Sequence, residues 1–263
     1  MKHCFDEISA WMKSNRLKLN SDKTELIICA SSHKLKQCDV AAVQLGDCQV
    51  SVSESVRNLG VHFDSTLSME THVNKLVSSC FYQLRRLRSV RRCLTRSAAE
   101  TLVHAFVTSR LDYCNSIYAG CPNKVLDKLQ LIQNAAARII TGTCRTDHIT
   151  PVLRDLHWLK IPQRVTFKLC LLVYKCLHNQ APEYLCGRLV QISSASGRSH
   201  LRSAGKGDLV VPRVATATYG GRAFDVAGPC AWNELPQALR DVSLSLDQFK
   251  NKLKTYLYTK SYA

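Results

Sequence analysis

Arg85, Arg86, Arg88, Arg91, Arg92 and Arg96 fall within a dozen positions, and no acidic residue stands between Glu70 and Glu100. A guanidinium presents its N–H donors as a planar fork that matches two phosphate oxygens at once, and each neutralised phosphate releases counterions. The chemistry this run offers is phosphate binding. A solvated helix face is the plainer alternative, and the absence of compensating Asp or Glu tips the balance towards phosphate. Phosphoryl transfer with two metal ions would need paired carboxylates to hold them, and no Asp-Asp pair occurs anywhere in the chain.

Sharper motifs fail on spacing. There is no Cys-x-x-Cys pair, and Cys170, Cys176, His178 and Cys186 match no zinc ribbon or finger. They fall in an apolar helical stretch, where buried thiols are expected. Gly205-Lys206 lacks the earlier glycine of a phosphate loop, because position 200 is His200. No Ser or Cys nucleophile stands beside a recognisable base motif.

The composition fits a nucleic-acid partner. A chain of 263 residues with 46% hydrophobic and 21% charged residues reads as one large or two modest globular domains. Its net charge of +16 suggests an acidic partner, most simply a nucleic-acid backbone or an anionic membrane surface. That charge is unevenly placed: residues 1–67 are neutral, while residues 68–145 and 146–263 each carry +8. The longest strongly apolar run, Leu169–Tyr174, is far too short to span a bilayer. Thirteen cysteines, an odd number in a large chain without a visible export signal, suit reduced thiols in an intracellular compartment, nucleus or cytoplasm.

The elements that must position these residues change character along the chain. Phe5, Ile8, Trp11 and Met12 share one face of an amphipathic helix over 5–14. Thr24–Ala30 predicts a buried strand, and Val43 to Val52 a hairpin turning at Gly46-Asp47. Val56–Phe63 predicts a further strand, so the first part is α+β. From Ser68 the period becomes helical. Val73, Val77, Cys80, Leu84 and Leu87 form a narrow seam, and Lys75, Arg85 and Arg86 point away from it. Arg91 would land inside that seam, so the helix is expected to end near Ser89 in a basic turn. A Ser97-x-x-Glu100 capping box predicts the next helix. Further helices are expected over 124–141, closed by Gly142, from Pro162 to before Pro182, and near 246–257. Residues 193–208 read as a basic Ser/Gly loop, and 209–224 as short strands.

Asn15-Arg16-Leu17-Lys18-Leu19-Asn20-Ser21-Asp22-Lys23-Thr24-Glu25 and Arg57-Asn58-Leu59-Gly60-Val61-His62-Phe63-Asp64 carry a further signal. They resemble the segment after the catalytic aspartates in reverse transcriptases of jockey-like non-long-terminal-repeat retrotransposons. The similarity runs along nearly the whole chain. It implies three parts: residues 1–67 as the end of the palm, 68–145 as a helical thumb, and 146–263 as the mostly helical C-terminal region, with a few short strands and no assigned chemistry.

The resemblance also assigns roles. Lys23 falls on a position thought to assist the departing pyrophosphate, where a cation offsets charge on the leaving oxygens; capping a surface turn is the other reading. Leu59 and Gly60 fall on the hairpin that grips the primer, Gly60 allowing close backbone approach; a bulge glycine is the alternative. Lys75, Arg85, Arg86, Arg88, Arg92 and Arg96 would track template–primer phosphates. RNA, DNA or an RNA–DNA duplex is the implied partner, together with intact retrotransposon proteins and no membrane. No cofactor is expected for this chain, although the intact polymerase would need Mg. Two functions stay open: a polymerase fragment without its catalytic aspartates, or a non-enzymatic nucleic-acid-binding protein kept for a host role.

Overall fold

The computed structural model describes residues 2–45, 48–194, 207–241 and 243–262. The expected Gly46-Asp47 turn and most of the basic Ser/Gly segment lie outside these residues. The chain is α+β, with two small antiparallel sheets and many helices. Its contacts divide it into two units, residues 1–74 and 75–263.

The first unit opens with α1 (Lys2–Ser14) and a short α2 (Ser32–Leu35), which Ser31 caps through its side chain. Strands β1 (Ala42–Leu45) and β2 (Cys48–Ser51) pair with Val43 opposite Val50. Strands β3 (Ser55–Asn58) and β4 (Val61–Asp64) pair with Asn58 opposite Val61. The predicted single strand over 56–63 is therefore a hairpin, and its two-residue turn is Leu59-Gly60. Both turn residues have positive φ, 46° and 86°, as a tight hairpin connection demands.

The strand predicted over Thr24–Ala30 does not form. Its only ladder contact is a parallel bridge from Leu26 to Val52. Side chains bond elsewhere instead: the Thr24 hydroxyl donates to the nearby Asn20 carbonyl at 2.9 Å, and Glu25 accepts the Arg57 N–H at 3.2 Å from 32 positions away. On α1, Ile8 and Trp11 remain exposed, at 48% and 62%.

Asp64 fastens the end of β4 to helix α3 (Glu70–Val90). One carboxylate oxygen accepts the Ser68 N–H and the Thr66 hydroxyl, both at 2.8 Å. The other accepts the Met69 N–H at 2.9 Å and the Ser68 hydroxyl at 3.1 Å. Burial pushes the carboxyl pKa up, but these hydrogen bonds outweigh it and hold the pKa below the ordinary 3.8. A depressed folded-state pKa contributes stability in full above pH 4 or so and loses it as pH falls through the folded value. Asp64→Asn should thus cost this unit roughly 2 kcal/mol near neutrality. The gap to wild type should close in thermal melts taken towards pH 2; a gap that stays constant with pH would show that the charge is irrelevant.

The second unit is helical. After α3 comes a 3-10 turn, Arg91–Cys93. Helix α4 (Arg96–Val103), a π-helical turn (His104–Thr108) and α5 (Ser109–Asp112) then run on without a break. The cap of α4 is Thr95, whose hydroxyl accepts the Ala98 N–H, rather than the predicted Ser97. Helix α6 (Asn123–Thr141) ends at Gly142 with φ 74°, as its sequence predicts. Helices α7 (Ile149–Asp155), α8 (Ile161–Leu177) and α9 (Glu183–Cys186) follow. The last elements are α10 (Ala217–Gly220), α11 (Phe224–Asn233) and α12 (Leu246–Tyr262).

The strands expected over 209–224 are absent except for one bridge, Leu209 to Gln191. Gly220 explains part of this departure, since a Cβ there would meet Val214 at 2.7 Å, so the chain folds back on itself too tightly for a ladder. The core joins α8, α11 and α12 through Val173, Tyr174, Trp232, Phe249 and Leu253, with the Tyr174 and Phe249 rings stacked 4.5 Å apart. Gly228 allows α11 to approach α8, because a Cβ would meet Val173 at 3.0 Å. Packing is continuous across residue 145, with α6 against both α7 and α8.

Candidate nucleic-acid interface

Helix α3 is held by its apolar seam. Val73, Cys80, Leu84 and Leu87 are buried, while Val77 is half-buried. Cys80 behaves as a small hydrophobe, and burial pushes its thiol pKa up to about 11. A helix fixed along one stripe must present the opposite face to solvent. Lys75, Arg85, Arg86 and Arg88 are on that exposed side, and Arg92 is exposed on the following 3-10 turn. Among the described residues, no carboxylate comes within ion-pair distance of Arg85, Arg86, Arg88 or Arg92. Arg86 lies 5.8 Å from the Tyr82 ring centroid, one helical turn back, which restricts its guanidinium without neutralising it.

The other two arginines of the run do different work. Arg91 does not occupy the seam. Its Nε donates to the Ile139 carbonyl at 2.6 Å, Nη2 to Ile140 at 2.8 Å and Nη1 to Leu94 at 2.8 Å. It thereby satisfies carbonyls that the end of α6 leaves without intrahelical donors. Arg96 pairs with Asp155 at 2.6 Å, both side chains being more than half exposed. An acidic neighbour thus offsets its charge.

The remaining sequence-derived candidates lie in the first unit. Lys23 is exposed at the end of a 3-10 turn, Ser21–Lys23. Leu59 is 84% exposed at the hairpin tip and adopts a left-handed conformation, which costs a branched aliphatic residue roughly 1–2 kcal/mol. A bulky apolar side chain held outward at such a cost suits a contact surface. Gly60 follows it as the second turn residue, not as a bulge in a strand.

Among the described residues, no group of three or more His, Cys, Asp or Glu is arranged to hold a metal ion. Nor is any helix among them long and apolar enough to cross a membrane. Burial pushes the Cys170 thiol up to about 12, as a core role requires. Trp232 is also core, its indole N–H donating to the Gly207 carbonyl at 3.0 Å.

Sequence reasoning missed a polar cluster in the second unit. Both carboxylate oxygens of Asp112 accept from one nitrogen of Arg164, at 2.9 and 2.7 Å. The guanidinium of Arg164 lies 6.0 Å from the Trp158 ring, and His104 meets Trp158 edge-on at 5.7 Å. The Asp112–Arg164 pair joins two stretches 52 positions apart, so no local spacing announces the cluster. Comparison with protein-family models, curated proteins and solved structures returned no match.

Proposed function

We propose that this chain binds nucleic-acid backbones through the exposed arginines of α3. We further propose that it derives from the C-terminal part of a jockey-like retrotransposon reverse transcriptase. The observation that carries the binding reading is the array itself: Arg85, Arg86 and Arg88 on a helix anchored by its other face, and Arg92 on the turn that follows, are solvent-facing and have no acidic partner among the described residues. The unit that contains it, residues 75–263, holds 28 Lys and Arg against 11 Asp and Glu, a balance of +17. Support for the polymerase ancestry is the Asn15–Glu25 and Arg57–Asp64 patterns, together with a Leu59-Gly60 hairpin where a primer grip would be.

Phosphate contacts of this kind position a duplex without reading its bases. A fluorescent 20-mer RNA–DNA hybrid and DNA duplexes of unrelated sequence should therefore bind with similar affinities, all weakening as salt rises. Binding that depends strongly on sequence, or that ignores salt, would contradict the reading.

The chain should not polymerise. Without paired aspartates to hold two metal ions, it lacks the means to activate the attacking oxygen and stabilise the leaving one. Incubation with primed template, nucleotides and Mg or Mn should yield no extension. Template-dependent incorporation above a no-protein control would overturn this.

A further inference from the structure

The cluster around Trp158 and Arg164 lines a cavity of about 540 Å³, within the range of small-molecule sites. We infer that this cavity binds a single nucleotide unit, a flat base joined to a phosphate. The charge inventory points to an anion. The wall carries two acids, Glu100 and Asp112, the latter paired with Arg164 through both carboxylate oxygens. Lys168 and Lys254 line the same cavity and have no carboxylate within ion-pair distance among the described residues. The three cations of the wall, Arg164, Lys168 and Lys254, exceed its two carboxylates by one, and the two ammonium groups are available to hold one phosphate.

The rest of the wall fits a base. His104 is exposed on the π-helical turn and braced edge-on by buried Trp158, leaving a ring on which a flat heterocycle can stack. π-helical turns of this kind concentrate at functional sites. Asn115, 5% exposed, also lines the cavity. Its Nδ2 reaches Asp112 at 3.5 Å, while its buried Oδ1 has no donor. A buried acceptor without a donor is costly, and an exocyclic base amine would supply one. The cavity shares no residue with the α3 array, and the inference does not depend on it.

The test uses the full chain and two fluorescent probes: 2-aminopurine riboside monophosphate, and a short single strand carrying one 2-aminopurine. Saturable fluorescence change with both probes identifies a site open to free nucleotides; change with the strand alone identifies one for an unpaired residue of a strand. Either result supports the inference. Lys168→Glu with Lys254→Glu should weaken probe binding by on the order of tenfold or more, as should His104→Ala. A Lys168→Gln, Lys254→Gln variant with unchanged unfolding should also bind more weakly. Alanine at Arg85, Arg86, Arg88 and Arg92 should leave the probe response intact. No response from either probe, wild-type affinity in both lysine variants, or loss of response in the arginine variant would each overturn the assignment.

Discussion

Replacing Arg240 with alanine is expected to destabilise the second unit by about 3–5 kcal/mol, the cost of leaving a buried charge without its partner. Arg240 pairs with Asp208, and their side chains are only 8% and 17% exposed. Burial lowers the Arg240 pKa, and its Nε has no hydrogen-bond acceptor, so the group depends on Asp208. The pair holds a segment on which the core relies. Next to Asp208, Leu209 is buried and exchanges two hydrogen bonds with the Asn233 side chain, at 2.9 and 2.8 Å. The Asp208 carbonyl accepts the Ile192 N–H at 3.0 Å. Denaturant unfolding followed by circular dichroism measures the loss. The double variant Asp208→Leu, Arg240→Met should recover most of it, since an apolar pair leaves no charge stranded. A single-variant cost below about 1 kcal/mol would mean the pair behaves as an exposed one.

The second large effect concerns affinity. Alanine at Arg85, Arg86, Arg88 and Arg92 together should weaken duplex binding at 0.1 M salt by on the order of a thousandfold, if each arginine neutralises one phosphate. The loss should be uniform across sequences. Stability should change little, because among the described residues these exposed side chains make no ion pairs. Arg91→Ala makes the informative contrast. It removes three hydrogen bonds to carbonyls, two of them at the end of α6, and should lower stability by roughly 1–3 kcal/mol. Equal destabilisation by both variants would show that the array is structural.

These two arginine roles show what the sequence could and could not convey. The Val73–Leu87 seam, the Gly142 stop, the Pro162 start and the Phe249–Leu253–Leu257 face of the last helix rest on local periodicity or a single cap. Each is found where its residues predict. The exposed face of α3 follows from that seam by geometry. Arg91 was legible only as a misfit, since its partners Ile139 and Ile140 are 48 and 49 positions away.

Segments whose partners are also distant misled the reading in the same way. Thr24–Ala30 has strand composition but only one bridge to a neighbour. Residues 209–224 look strand-like because of their valines, yet the close approach of Gly220 to the Val214 side chain and the side chain of Asn233 decide their path. The Asp112–Arg164 pair spans 52 positions, so the cavity it helps line left no pattern to find.

Phosphate binding by the arginines of α3 and its following turn shows in the slope of log affinity against log salt concentration, measured for wild type and the four-arginine variant on one duplex. Each lost phosphate contact should flatten the slope by about 0.9, so the two lines should differ by roughly 3 to 4 and converge near 1 M salt. Parallel lines, with the variant merely displaced or unchanged, would place the nucleic-acid contact elsewhere on the chain.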